Sequence, residues 1–199
     1  MVSVVQRKAA PLSVEAFRAW LASRPEEERW ELIDGVPMMM APPTRDHQRI
    51  ASNLERLLND ALEAYRPALS AYQRVGLNLG PVVQNYDPEP DVAVVDADAG
   101  GDPRYTDRFY LAAEIASESD RTLEGKCEIY KRHPDCRCVM VIRQDRYEVN
   151  LACRSDNDWD EIAFTQPDDG LVLPEFGLRC NVADLYKGTT LRPRAVPRP

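Results

Sequence analysis

The stretch Phe109-Tyr110-Leu111-Ala112-Ala113-Glu114-Ile115-Ala116, followed by a helical pattern over residues 120–132 and a second apolar run over 136–143, decides the fold. The first run reads as a short buried strand, interrupted only by Glu114. In a helix successive residues turn by about 100°. Leu123, Lys126, Cys127, Ile129 and Tyr130 therefore share one face, and Arg121, Glu124, Glu128, Lys131 and Arg132 the other. A helix between two strands implies a crossover connection, which predicts an α/β fold with a mixed β-sheet flanked by helices.

That reading places charges where they are costly. Glu114 lies inside its strand, Lys126 lies mid-stripe on the apolar helix face, and Asp91 opens a third run, Pro90-Asp91-Val92-Ala93-Val94-Val95. Acids and lysines are seldom fully buried unless paired or bound to a metal. Two carboxylates on neighbouring strands can hold Mg²⁺ or Mn²⁺, hard cations that accept oxygen ligands and leave room for water and phosphate. A lysine beside them can orient or help deprotonate the attacking water and offset charge building on phosphorus. The same residues could instead form a buried Lys126–Glu114 ion pair, or the lysine stem could pack while its head reaches water.

Outward from this centre, Ser13 reads as an N-cap before a short helix carrying Val14, Phe17 and Leu21, ended by Pro25. Asp34-Gly35 between apolar runs at 30–33 and 36–40 signals a type I′ hairpin, with Pro37 confined to an edge. Residues 44–65 form the longest helix, with Ile50, Leu54, Leu57, Leu58, Ala61 and Tyr65 on its apolar face and Arg45, Arg49, Ser52 and Arg56 opposite. His47 falls on the apolar side, as a hydrogen-bonded core histidine or as a site-lining one. Residues 71–79, broken by Gly76, read as one strand, and 136–143, 146–154 and 159–165 as an antiparallel meander. A short helical turn is expected over 182–186.

At 199 residues and 44% hydrophobic content, one domain over residues 1–188 followed by a solvated Pro/Arg-rich tail at 189–199 is expected. No apolar run reaches the roughly 18 residues of a membrane span. The start, Met1-Val2-Ser3-Val4-Val5-Gln6-Arg7-Lys8, lacks a signal-peptide layout, so the expected location is the cytoplasm. A formal charge of −8 argues against a broadly basic nucleic-acid surface but leaves room for a local cleft. The five cysteines form no disulfide framework and are read as reduced. Cys127, His133, Cys136 and Cys138 lack a paired zinc spacing and read as core residues. Neither histidine sits in a motif marking the base of a nucleophilic cysteine or serine enzyme, and phosphate-binding Gly-rich loops are absent.

Trp30-Glu31-Leu32-Ile33-Asp34-Gly35, then Pro42-Pro43 and His47, then Pro90-Asp91-Val92, then Glu114-Ile115, and finally Lys126 with Tyr130 four residues on, together resemble the small Uma-type endonucleases of the PD-(D/E)XK superfamily. The resemblance runs over about residues 30–154. It implies a restriction endonuclease-like core preceded by an N-terminal helix and β-hairpin, Mg²⁺-dependent hydrolysis of DNA phosphodiester bonds, and a homodimer. Asp91 matches the PD aspartate and Glu114 the second acid, the two metal ligands. The superfamily's usual lysine position is Ala116 here, and Lys126 matches the relocated lysine of the Uma-type branch. Glu31, His47 and Tyr130 carry over as site-lining residues. The family's Ser-Pro-Ser-Thr-like turn is Ser117-Glu118-Ser119-Asp120 here, and the tryptophan expected in 136–142 and the acid expected near Arg143-Gln144 are missing. The alternative is a catalytically silent nuclease-like module that binds nucleic acid or protein.

Overall fold

A computed structural model describes residues 11–98, 100, 103–118, 120–156 and 158–194. The first ten residues, Ser119 and positions 195–199 of the expected tail lie outside the described residues. In chain order the elements are α1 (Val14–Leu21), β1 (Trp30–Ile33), β2 (Val36–Met39), α2 (Arg45–Tyr65), β3 (Leu69–Tyr72), β4 (Gly76–Leu77), β5 (Val92–Asp96), β6 (Tyr105–Thr106), β7 (Phe109–Ala116), α3 (Leu123–Arg132), β8 (Cys138–Arg143), β9 (Val149–Arg154), β10 (Trp159–Phe164), β11 (Gly170–Leu173), β12 (Leu178–Asn181) and α4 (Val182–Leu185).

Among the described residues a six-stranded sheet runs β10-β9-β8-β7-β5-β3. The β7–β8 pair is parallel, as the crossover through α3 requires, and every other pair in this sheet is antiparallel. The central strands β5, β7 and β8 are mostly buried on both faces because both are covered. On one face Val92, Val94, Leu111, Ala113 and Ile115 pack with Ile50, Leu54, Leu58 and Leu62 of α2. On the other, Ala93, Val95, Phe109 and Ala112 pack with Ile129 and Tyr130 of α3. Tyr65, expected on the apolar face of α2, is instead 61% exposed, and Leu62 is the buried residue of that last turn.

The caps behave as their residue types dictate. Ser13 accepts from the Ala16 N–H at 3.2 Å, and Thr44 accepts from the His47 N–H at 3.1 Å. Thr44→Ala should lower stability by about 1 kcal/mol. Urea denaturation should show the midpoint falling at constant slope, with Thr44→Ser restoring it. Asp34 and Gly35 both take positive φ, 49° and 74°, which is the type I′ geometry the dipeptide signals.

Four expectations are corrected. The strand predicted over 71–79 is two strands in two sheets: Arg74 takes φ 61°, turning the chain out of the main sheet after β3, and β4 then pairs with β6 in parallel. Residues 170–181, given no structure by sequence pattern, form the β11–β12 hairpin around a 3-10 turn at Pro174–Phe176. Cys138 and Cys153 are not reduced. They face each other directly in the β8–β9 register, with Cα atoms 4.2 Å apart, and are joined in a disulfide, leaving Cys127, Cys136 and Cys180 free. The start of the expected solvated tail is packed down: Thr189 is buried, Tyr147 donates to the Leu191 carbonyl at 3.0 Å, and Arg192 donates to the Ala183 carbonyl at 2.7 Å. What ties this segment down is Asn53, buried on α2, whose amide donates to the carbonyls of Leu185 and Lys187 at 2.8 and 2.9 Å. No described helix is long and apolar enough to cross a membrane.

Candidate active site

Strand alternation aims the acids. The β5–β7 pairing ends at Val92 with Ala113, so Asp91, just before β5, and Glu114, just after Ala113, stand at the same end of the pair. Counting by twos, Asp91 belongs with Ala93 and Val95, and Glu114 with Ala112, all on the α3 face of the sheet. Lys126 and Tyr130, one helical turn apart on α3, come down on that face. Lys126 Nζ lies 2.8 Å from Glu114 Oε1, and the Tyr130 hydroxyl donates to the same oxygen at 2.7 Å.

Glu31 completes the arrangement from β1. Lys126 Nζ donates to its Oε1 and Oε2 at 3.1 and 3.3 Å, and Glu31 Oε1 also accepts from the Glu89 N–H at 2.9 Å. Glu31, Glu114 and Lys126 are 3%, 5% and 3% exposed, so one lysine is shared by two buried carboxylates. Asp91 is more open. Its Oδ2 accepts from the Ile115 N–H at 2.7 Å, and its Oδ1 lies 2.8 Å from His47 Nε2, which α2 presents from its first turn. His47 is thus at the rim of the site, not in the apolar core. All six residues singled out from the sequence come together.

Burial and the excess of acids over bases in the cluster together set the shifts of Glu114, Lys126 and Tyr130. Burial pushes Glu114 up to about 7; Lys126 pulls the other way, and Asp91 and Glu31 add to the rise. For Lys126, burial acts to lower the pKa, but Glu114 and Glu31 more than offset it and hold the group above its ordinary value. Lys126 is therefore a cation at neutral pH. Burial, with Glu114 adding to it, raises Tyr130 well above the ordinary tyrosine value, so its hydroxyl stays a donor.

Glu31, His47, Asp91, Glu114 and Lys126 line a cleft of about 490 Å³, and Tyr130 supports it through Glu114. Sequence reasoning missed several of its walls. Arg74 and Arg121 face it without a carboxylate partner among the described residues, and Arg29 enters it paired with Glu89 at 2.7 Å. Met38, Met39 and Met40 of the hairpin side are exposed along its mouth. The sequence pattern puts Arg74 inside a strand and Arg121 on the helix face opposite Lys126, whereas both stand in loops, before β4 and before α3, and face the cleft.

The donor set suits a hard divalent cation in part. Asp91 and Glu114 supply carboxylate oxygens at one open cleft. Two protein carboxylates, with water and phosphate completing the shell, are typical of Mg²⁺. Among the described residues no group of three or more His, Cys, Asp or Glu side chains could hold a metal by itself. The zinc alternative fails on its own terms. Cys138 is in the disulfide, and buried His133 stacks on Phe109 with ring centroids 4.6 Å apart. Burial pushes the Cys127 and Cys136 thiols up to about 12, which leaves no reactive thiolate there.

The Uma2 family model, described as "Putative restriction endonuclease", matches residues 14–183. Among solved structures, the chain is similar to one described as a putative nuclease belonging to DUF820 from Anabaena variabilis. The TM-score is 0.69 at 20% identity, covering 88% of this chain and 98% of that one. At that identity the likeness establishes a shared nuclease-like fold. No curated protein matches the sequence.

Proposed function

From the premise that this chain belongs to the Uma2 family, we propose that it is a Mg²⁺- or Mn²⁺-dependent endonuclease that hydrolyses DNA phosphodiester bonds in the cleft between α3 and the β1–β2 hairpin. The observation that carries this reading is the convergence of Asp91, Glu114 and Lys126 with two arginines that have no carboxylate partner among the described residues, Arg74 and Arg121, on one open cleft. Asp91 and Glu114 would hold the cation. When bound, it would polarise the phosphate and lower the pKa of an attacking water.

The chain's own residues supply the rest. The Ile115 N–H and His47 fix Asp91 in one orientation, while Tyr130 and Lys126 fix Glu114. Because Lys126 is held protonated, it is a poor general base. Its role is to orient water and offset the negative charge that builds on phosphorus as the new P–O bond forms and the old one breaks. Arg74 and Arg121 would hold the flanking phosphates. The homodimer implied by the family is part of the reading, and light scattering should give twice the chain's 22.5 kDa.

A second reading, binding without cutting, draws support from Glu114, whose Oε1 is already shared by Lys126 and Tyr130. The readings diverge on metal. Saturating Mg²⁺ or Mn²⁺ at about 100 times its Kd should add about 2.7 kcal/mol of stability, and supercoiled plasmid should be nicked in metal but not in EDTA. Unchanged melting in both metals, with intact plasmid, would leave the silent module as the better account.

A further inference from the structure

We propose that the outer face of the first turns of α2, together with the returning segment 188–194, is a track for the nucleic-acid phosphate backbone, outside the cleft and leading into it. The proposal deepens the nuclease reading and rests on it for the partner, but on separate residues. A groove of about 810 Å³ runs along this face, lined by Arg45, Arg49, Gln48, Thr190 and Arg194. Arg49 and Arg194 converge over Gly188. A Cβ placed on that glycine would lie 3.6 Å from Arg49 Cδ and 3.3 Å from Arg194 Nε. Arg45 lies one helical turn before Arg49 on the same face.

Three arginines without an acid partner among the described residues are gathered here in one groove. The chain has 33 acidic against 25 basic residues, and several of its surface arginines pair with them: Arg24 with Glu28 at 2.8 Å, Arg56 with Asp60 at 2.9 Å, Arg66 with Glu175 at 2.6 Å. Arg45, Arg49 and Arg194 have no carboxylate partner among the described residues. The acid in the groove wall, Asp46, is held instead by the backbone N–H and hydroxyl of Thr190. Guanidinium groups gathered without a counter-charge suit an anion with several acceptor oxygens, and phosphate matches their fork of donors.

Continuity points to a polymer, not a lone phosphate. Gln48 lines both this groove and a neighbouring recess of about 350 Å³, which reaches Arg74 and Asp91. That recess shares His47, Arg74 and Asp91 with the cleft. A strand laid along the groove would enter the site past Arg74.

The test is anisotropy of a labelled DNA duplex, and of one of its strands, with the full chain in EDTA across a salt series. Arg45→Ala/Arg49→Ala/Arg194→Ala should weaken binding at least tenfold. It should also reduce the slope of log K against log salt by about 2 to 3, at roughly 0.7–0.9 for each phosphate no longer neutralised. Arg24→Ala/Arg66→Ala/Arg137→Ala removes the same charge away from this face and should leave the slope unchanged. All six positions are on the surface, and melting curves would check that both variants fold. Equal losses in the two variants, an unchanged slope in the first, or inorganic phosphate binding without DNA binding would each overturn the track. Hydrolysis of bis(p-nitrophenyl) phosphate by the unaltered protein reports on the cleft alone, so a failed track with active hydrolysis leaves the nuclease reading standing, and a confirmed track without hydrolysis removes it.

Discussion

Metal-free at pH 8, Lys126→Met will melt about 6 to 20 °C below the unaltered protein, since breaking a buried ion pair costs about 3–5 kcal/mol and each kcal/mol moves the melting of a chain this size by about 2–4 °C. Methionine matches the lysine stem in length and flexibility, so the change isolates the charge. Without it, Glu31 and Glu114, 3% and 5% exposed, face each other with no cation between them. The loss must depend on pH. Glu114 already stands at about 7 with Lys126 present, and removing the cation takes away the influence that holds it down. A carboxyl raised above its unfolded value binds more protons folded than unfolded. Its stability is fully present below the unfolded pKa, roughly 4.3 for a glutamate in model peptides, and is lost as pH rises through the folded value. The gap between variant and parent should therefore be wide at pH 8 and narrow at pH 5. Adding Glu31→Gln and Glu114→Gln should recover most of it, because a neutral trio needs no counter-charge. A variant melting within about 2 °C of the parent at pH 8, a change of about one kcal/mol at most for a chain this size, would mean the trio is solvated in solution.

How much of this was legible in the sequence depends on the range of the interaction. Glu114 was visible because a charge breaks an apolar strand, and Lys126 because the helical turn places it among Leu123, Ile129 and Tyr130, which are indeed buried with it. Both are local signals. That Lys126 is shared with Glu31, 95 residues earlier, depends on how the hairpin docks against α3, and no periodicity reports that. The Cys138–Cys153 bond likewise follows from the β8–β9 register, fixed by the turn between them rather than by cysteine spacing. Arg74 is the clearest gap. It is a polar residue in a loop, with a positive φ that its sequence does not signal, and it stands where the recess along α2 opens into the cleft. The segment after Leu185 reads as a tail by composition, yet Asn53 of α2, an apparently ordinary polar residue in a helix, binds its carbonyls and folds it back.

Asp91→Asn should lower the rate of DNA cleavage about a thousandfold, about 4 kcal/mol of transition-state stabilisation, while leaving the fold in place. Asparagine keeps the shape, and its carbonyl oxygen can still accept from the Ile115 N–H, which Asp91 holds at 2.7 Å. Its amide meets His47 Nε2, 2.8 Å away, as a donor where the carboxylate was an acceptor, so the imidazole must present its lone pair there. What asparagine cannot supply is the negative charge that a hard cation prefers. Two readouts should therefore move together: cleavage, and the rise in melting temperature on adding Mg²⁺ or Mn²⁺, which should vanish. Glu114→Gln is a less clean test of the same idea, since Glu114 also receives Lys126 and Tyr130, and its loss disturbs the buried trio. Asp91 touches neither of those groups, so a change there separates metal binding from the ion pair. Cleavage within tenfold of the parent, or an undiminished metal-induced rise in melting, would remove Asp91 from the metal site and tip the balance to the reading in which this cleft binds nucleic acid without cutting it.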